Sequence, residues 1–322
     1  VKESVMDYGD LIVKTLKLFR QRPNVLKQYR EQFKHVLVDE FQDVNNLQIR
    51  LINNMLTPET QLFCVGDDWQ SIYGFRGSEV DYIINFEKHF EKTKLIKLNL
   101  NYRSTEFIVG ASNEVIRHNK FQVDKEISAS KKSDKRINIY AGDSEEDELE
   151  YFITEINRLL SEGYQNDDIL VLYRRSKMFG PYFQRLRKEG LRIRGKTIHS
   201  SKGLEARAVF IIGLTEGYGG FPDIWLDDRV FQVIRKVKHD MLLEEERRLF
   251  YVALTRAKDE LFLITRKGNE STFLDEIPEE YSVSLKQSIK PILNEILLCK
   301  QCNTQLKLHF TFCPSCGLKL KD

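Results

Sequence analysis

Residues 35–43 read HVLVDEFQD, and residues 61–70 read QLFCVGDDWQ. Each opens on a short apolar run and ends in acidic or polar residues. Between them, NLQIRLINNML (46–56) repeats its apolar residues at helical spacing. Strand, helix, strand, with each strand turning polar at its carboxyl end, predicts a parallel α/β sheet. Ligands of such sheets bind outside the carboxyl ends of the strands. Asp39 and Glu40 therefore stand where chemistry is expected.

Outward from this unit, DYGDLIVKTLKLFRQ and PNVLKQYREQF read as two amphipathic helices, with Pro23 opening the second. Lys94 to Leu100 reads as a strand, and the polar stretch Asp124 to Arg136 as a linker. A second α/β region runs from Ile137 to about Lys267. Its expected strands are 137–140, 169–173, 208–213 and 261–266, with helices near 146–161, 179–189 and 242–257. Residues 285–298 read as a helix leading into a cysteine cluster. The expected domains are 1–100, 101–283 and 284–322.

The 322 residues suffice for about two domains. Hydrophobic content of 41% and charged content of 30% are ordinary for a globular protein. No apolar run approaches a membrane span, and the N-terminus does not read as a signal peptide. The sequence begins at Val1, which suggests a processed or truncated start. A net charge of +2 does not announce nucleic acid, but local basic clusters can still track phosphates. Cys64, within an apolar run, reads as a core thiol. Four further cysteines crowd residues 299–316, a pattern that fits a metal site in a reducing cytoplasm better than disulfides.

Asp39 and Glu40 follow a strand directly. One such acid can hold Mg²⁺ through water while its neighbour polarises an attacking water. Gln70, one short loop after the next strand, can sense a terminal phosphate. Tyr73 and Phe75, with Gly74 between them, offer flat faces to nucleobases, and Arg76 adds a cation. In NYRS (101–104), Tyr102 can stack a purine and Arg103 can reach a phosphate, as can Arg256 in ALTRAKDEL. TIHSSKGLE (197–205) sets Thr197, His199, Ser200, Ser201 and Lys202 before a glycine, a composition suited to a DNA backbone. Glu205 can accept a hydrogen bond from a ribose hydroxyl.

Together these segments, in this order and spacing across roughly residues 1–267, resemble the UvrD/Rep family of superfamily 1 DNA helicases. MDYGDLIVKTLKLF is similar to the helical segment that precedes DEFQD in that family. The resemblance implies two RecA-like lobes with ATP between them and single-stranded DNA across their tops, the first lobe being incomplete here. It implies Mg²⁺ coordination by Asp39, water activation by Glu40 and γ-phosphate sensing by Gln70. It assigns adenine stacking to Tyr102, phosphate contact to Arg103 and Arg256, and ribose contact to Glu205, with Arg76 counted among the nucleotide-side residues. Tyr73, Phe75, Thr197 and His199 fall at DNA-contacting positions, with Phe75 where the family usually has tryptophan. Translocation from 3′ to 5′ is implied by the family alone.

Two departures qualify the resemblance. No G-x-x-x-x-G-K-[ST] phosphate loop occurs in the 322 residues, so this chain alone is expected to hydrolyse ATP poorly or not at all. Between Ser104 and Thr197 lie 92 residues, too few for the family's usual inserted helical subdomain. Strand separation is therefore less expected than translocation. At the C-terminus, Cys299-x₂-Cys302 and Cys313-x₂-Cys316 suit tetrahedral Zn²⁺ in a small ribbon. Its lysines can meet DNA phosphates or a partner protein. The expected function is part of an ATP-dependent DNA helicase or translocase, with a non-hydrolysing DNA-binding subunit as the alternative.

Overall fold

The computed structural model describes residues 5–217, 219–224, 239–284, 297–298, 301, 305–306 and 318–319. The chain divides into two units, Val1–Leu285 and Lys286–Asp322.

The first unit opens with α1 (Tyr8–Gln21), whose N-cap Asp7 accepts the Asp10 N–H at 2.7 Å. Helix α2 (Pro23–Gln32) follows, with proline at its first position, where a missing N–H costs nothing. Strand β1 (His35–Val38) pairs in parallel with β2 (Gln61–Cys64), His35 opposite Gln61. Helix α3 (Asn46–Met55) connects them, started by a reciprocal Asn45–Gln48 capping box. Phe41, Val44 and Ile49 form a small core, with Phe41 edge-on to Phe86 and Phe90. These two rings come from the first residue of α5 (Phe86–His89) and from its C-cap, just after α4 (Asp81–Ile84). On the other face of the two strands, Leu37 and Phe63 are 71% and 57% exposed. Cys64 is a free thiol, pushed up to about 12 by burial.

The larger part is built on a six-stranded, wholly parallel sheet. Its strands are β5 (Ile137–Gly142), β6 (Ile169–Tyr173), β7 (Arg194–Thr197), β8 (Ala206–Ile212), β9 (Ala257–Arg266) and β10 (Ser282–Ser284). Their order is β10-β5-β9-β8-β6-β7. Successive residues of β6 face opposite ways. Leu170 and Leu172 join Ile108, Val115, Leu249 and Phe250 on one side. Ile169 and Val171 join Phe152, Ile156 and Leu186 on the other. Both faces are covered, which is why the strands read as unbroken apolar runs. The covering helices are α6 (Glu106–Arg117) and α9 (His239–Leu254) on the first side, with α7 (Glu145–Ser161) and α8 (Gly180–Lys188) on the second. Two strands outside this sheet, β3 (Leu100–Thr105) and β4 (Ser128–Lys131), pair in parallel.

Three sequence expectations change. Residues 94–99 hold no strand; Leu95, Ile96 and Leu98 are exposed, and pairing begins at Leu100, where Ser128 comes opposite. The expected linker 124–136 contains β4 and is packed in place. Its polar residues are ion-paired, Lys125 to Asp67 and Asp68, Lys131 to Asp259, and Lys135 to Glu260. Composition alone cannot separate solvated charge from paired charge. Of the expected helix 285–298, residues 285–296 lie outside the described residues, and Leu297–Leu298 is a strand antiparallel to Gln305–Leu306. Cys299, Cys302, Cys313 and Cys316 also lie outside the described residues. Among the described residues, no helix is long and apolar enough to cross a membrane.

Phe210 is fully buried at the centre of the sheet, stacked on Phe262 at 4.4 Å and edge-on to Phe152 at 5.1 Å. Phe210→Ala should cost about 3–5 kcal/mol of stability. Urea unfolding followed by circular dichroism would register it as a lower midpoint with an unchanged slope.

Candidate functional site

The carboxyl ends of β1 and β2 are tied together by one buried side chain. Gln42 accepts the Asp67 N–H through Oε1 at 3.0 Å and donates from Nε2 to Glu40 Oε2 at 2.5 Å. A Cβ on Gly66 would lie 2.5 Å from that Oε1, so glycine is required there. Glu40 adopts a left-handed backbone conformation at φ 52°, and its N–H donates to Asp39 Oδ1 at 2.8 Å. Asp39 is exposed, and among the described residues its second oxygen has no hydrogen-bond partner. Lys202, from TIHSSKGLE, reaches across from the second lobe. Its Nζ stands 2.9 Å from Glu40 Oε2 and also pairs with Asp43. Partial burial opposes ionisation of Glu40, but the Lys202 and Gln42 hydrogen bonds outweigh it and hold the carboxyl below its usual range. Asp43 is more deeply set, and burial pushes its carboxyl up despite the same lysine.

Gln70 sits between the lobes. Its Nε2 donates to Asp67 Oδ2 at 2.8 Å, and its Oε1 accepts from Arg256 Nη2 at 3.2 Å. Arg256 lies two residues beyond α9 and is 2% exposed. It also donates to the Val252, Leu204 and Thr255 oxygens. Burial, with Arg103 nearby, lowers its guanidinium to about 10, which leaves it charged at neutral pH. Arg103 donates to Glu205 Oε2 at 2.6 Å and to the Thr255 carbonyl at 3.4 Å. Glu205 is paired with Lys258 as well, and these two hydrogen bonds hold its carboxyl below the usual range. Tyr102 projects outward, 76% exposed. Arg103, Arg256 and Gln70 are thus brought together, and Glu40 connects to them through Gln42 and Asp67.

A second cluster lies on the same loop. The Tyr73 hydroxyl donates to the His199 carbonyl at 3.0 Å. Phe75 stands edge-on to the His199 ring at 5.4 Å and is 55% exposed. Arg76 lies over the Tyr73 and Phe75 rings at 5.0 and 5.3 Å, among the aromatics rather than beside Gln70 and Arg256. Thr197 caps the turn before His199, and its hydroxyl meets Ser200 Oγ at 2.8 Å. Burial, with Arg174 and Arg76 facing it, lowers the His199 imidazole to about 4. It is therefore neutral at physiological pH, an uncharged ring and not a cation.

Sequence reasoning gave no specific role to Gln42, Asp67, Lys125 or Lys202. Lys202 was legible only as one polar residue of a run; its pairing partners lie 159 and 162 positions upstream, at Asp43 and Glu40. Lys125 carried no local signal.

Residues 1–91 match the model of the UvrD/REP helicase N-terminal domain, and residues 96–195 and 184–268 that of the UvrD-like helicase C-terminal domain. The chain belongs to the UvrD-like helicase family. A "Probable DNA helicase" of Mycoplasma pneumoniae is 32% identical over 82% of this chain and 50% of its own length. A "Probable DNA helicase II homolog" of Mycoplasma capricolum is 40% identical over 54% of this chain and 24% of its own length. The ATP-dependent DNA helicase PcrA of Staphylococcus aureus is 37% identical over 54% of this chain and 24% of its own length. The chain therefore spans from about a quarter to half of these relatives.

The depressed imidazole has a thermodynamic consequence. Between pH 6.5 and about 4 the unfolded chain takes up a proton at residue 199 that the folded chain refuses. Stability should be full above pH 6.5 and fall as pH drops towards 4, by on the order of 1–3 kcal/mol after solvent screening. His199→Gln should flatten this part of the profile, as measured by urea denaturation across the pH range.

Proposed function

We propose that this chain forms the ATP-facing and DNA-facing part of an ATP-dependent DNA helicase or translocase. One observation carries the reading. Glu40, Gln42, Asp67, Gln70 and Arg256 form an unbroken hydrogen-bonded chain from the end of β1 to the second lobe. The loop that carries Gln70 also carries Tyr73 and Phe75. A group bound beside Gln70 and a base stacked on Phe75 would therefore act on one short piece of backbone.

Each residue has a role in this reading. Glu40 orients and polarises the attacking water once Lys202 withdraws. Gln70 meets the terminal phosphate. Arg256 and Arg103 supply fixed positive charge to the transferring phosphoryl group. Glu205 and Tyr102 hold ribose and adenine. Tyr73, Phe75, Arg76, Thr197 and His199 engage single-stranded DNA by stacking and backbone contacts. Asp39, an exposed hard-oxygen donor with one oxygen unpartnered, fits a water-mediated Mg²⁺. Bound there, the metal would supply charge neutralisation on the phosphates.

Residues 105–196 are taken up by α6, β4, β5, α7, β6, α8 and β7, all elements of the second lobe. This supports translocation on single strands over duplex separation; the 3′ to 5′ direction rests on family resemblance. Zn²⁺ on Cys299, Cys302, Cys313 and Cys316 would be structural, since four thiolates leave no open position. Leu297–Leu298 and Gln305–Leu306, which flank the first C-x₂-C pair in the sequence, are antiparallel partners, and this supports the ribbon reading. That ribbon would contact DNA phosphates or a partner protein.

Phe75→Ala should weaken single-stranded DNA binding by about 1–3 kcal/mol if the ring stacks a base. Fluorescence anisotropy with a labelled oligonucleotide would measure this, and unchanged affinity would remove the ring from the DNA face. Joined to a phosphate-loop segment, the chain should hydrolyse ATP, and Glu40→Gln should reduce turnover by about 10²–10⁴-fold with ATP affinity largely retained. Turnover within about tenfold of the parent would rule out Glu40 as the water-activating group. No turnover even in the parent would favour a non-hydrolysing DNA-binding subunit.

A further inference from the structure

Lys125 lies in the segment that composition marks as a linker, yet its side chain is 13% exposed. Its Nζ stands 2.6 Å from Asp67 Oδ1 and 2.6 Å from Asp68 Oδ1, and 4.5 Å from the centre of the Trp69 ring. Burial works against its charge, but the two carboxylates outweigh burial and hold its ammonium above the usual range. The neighbouring backbone is fixed too, because the Val123 N–H donates to Asp68 Oδ2 at 2.7 Å. Asp68 is 1% exposed, so it depends on these partners.

The two ends of a glutamine amide are nearly equal in size and opposite in chemistry. Which end faces a ligand decides whether the side chain gives or receives a hydrogen bond. At Gln70 both choices are forced by neighbours. An ionised carboxylate only accepts, so Asp67 turns the NH₂ towards itself; a guanidinium only donates, so Arg256 turns the oxygen towards itself. One N–H remains free of these two bonds. Asp67 can hold this geometry because Lys125 occupies its other oxygen.

We propose that Lys125 is a positioning residue for Gln70, acting through Asp67 to fix the amide so that it presents an N–H donor to the bound nucleotide's terminal phosphate. This deepens the reading of Gln70 given above and rests on it for the identity of the ligand. The orientation itself is a property of the nucleotide-free chain.

The test is solvent exchange of the Gln70 side-chain amide protons, read by NMR on the ¹⁵N-labelled full chain and assigned with Gln70→Glu. The Asn85 amide, bonded to Asp81 at 2.6 Å, serves as reference. Lys125→Met should speed Gln70 exchange by about tenfold, the worth of one charge-assisted hydrogen bond, with Asn85 unchanged. Lys125→Arg should stay near the parent rate. Lys125→Met alone leaves Asp68 buried without its cation, so it is also made together with Asp68→Asn. Asp67→Asn, which keeps the Lys125–Asp68 pair, should loosen Gln70 to the same extent. Parent-like protection of Gln70 in the double variant and in Asp67→Asn would overturn the proposal. A failure of the parent chain joined to a phosphate-loop segment to bind ATP would overturn the nucleotide reading while leaving the exchange result standing.

Discussion

Ile72 belongs by sequence to the loop after β2, but it is fully buried in the core of the second lobe with Ile108, Leu172 and Leu249. Trp69, three residues earlier, packs edge-on against Tyr251 of α9 at 5.4 Å and touches Ile116 of α6. These two apolar contacts hold the 67–77 loop on the second lobe, and burying such side chains is worth roughly 1.5–3 kcal/mol each. The polar contacts made by this loop depend on them. The Gln70–Arg256 hydrogen bond, the Tyr73–His199 hydrogen bond and the approach of Gly74 to Glu245 all need that loop in that place.

The electrostatics follow the same plan. A net charge of +2 conceals a junction where cations from the second lobe meet anions from the first. Lys202 meets Glu40 and Asp43, and Lys125 meets Asp67 and Asp68. Arg256 is different, because it is buried against carbonyl, hydroxyl and amide oxygens with, among the described residues, no carboxylate in direct contact. Such a cation is held ready for an incoming anion, whereas a lysine already paired must first give up a partner. In the proposed reading the two kinds of cation would answer a bound phosphate differently: one would need only the ligand, the other a rearrangement.

Much of the architecture was legible because periodicity reports burial directly. ILVLY at 169–173 and ARAVFII at 206–212 are strands covered on both faces, and both were expected almost to the residue. Asp7, Pro23 and Asn45 opened helices by local chemistry that needs no tertiary context. The misses are of one kind. KLIKLNL at 94–100 has strand composition, but β4 reaches only its end, through the Asn99 carbonyl and the pairing at Leu100. Lys125 and Lys131 have the composition of a solvated linker, but their counter-ions lie on other elements. Local sequence states what a residue can do, and only the fold supplies what stands opposite. At the site, the residue types proposed to face the phosphates were readable from motif spacing. The links between the side chains that orient them were not, because Gln42 lies 25 positions from Asp67, and Lys125 lies 58 from it.

The pair β1–β2 shows one apolar face to water, with Leu37 and Phe63 on it and Val65 just beyond at 46% exposure. Among the described residues, each of these strands also has one edge without a hydrogen-bonded neighbour. Unpaired backbone beside exposed large apolar side chains is the combination from which strand-to-strand association between molecules starts. For the chain handled by itself, this corner is where such association would be expected to begin, more so at high concentration and high salt.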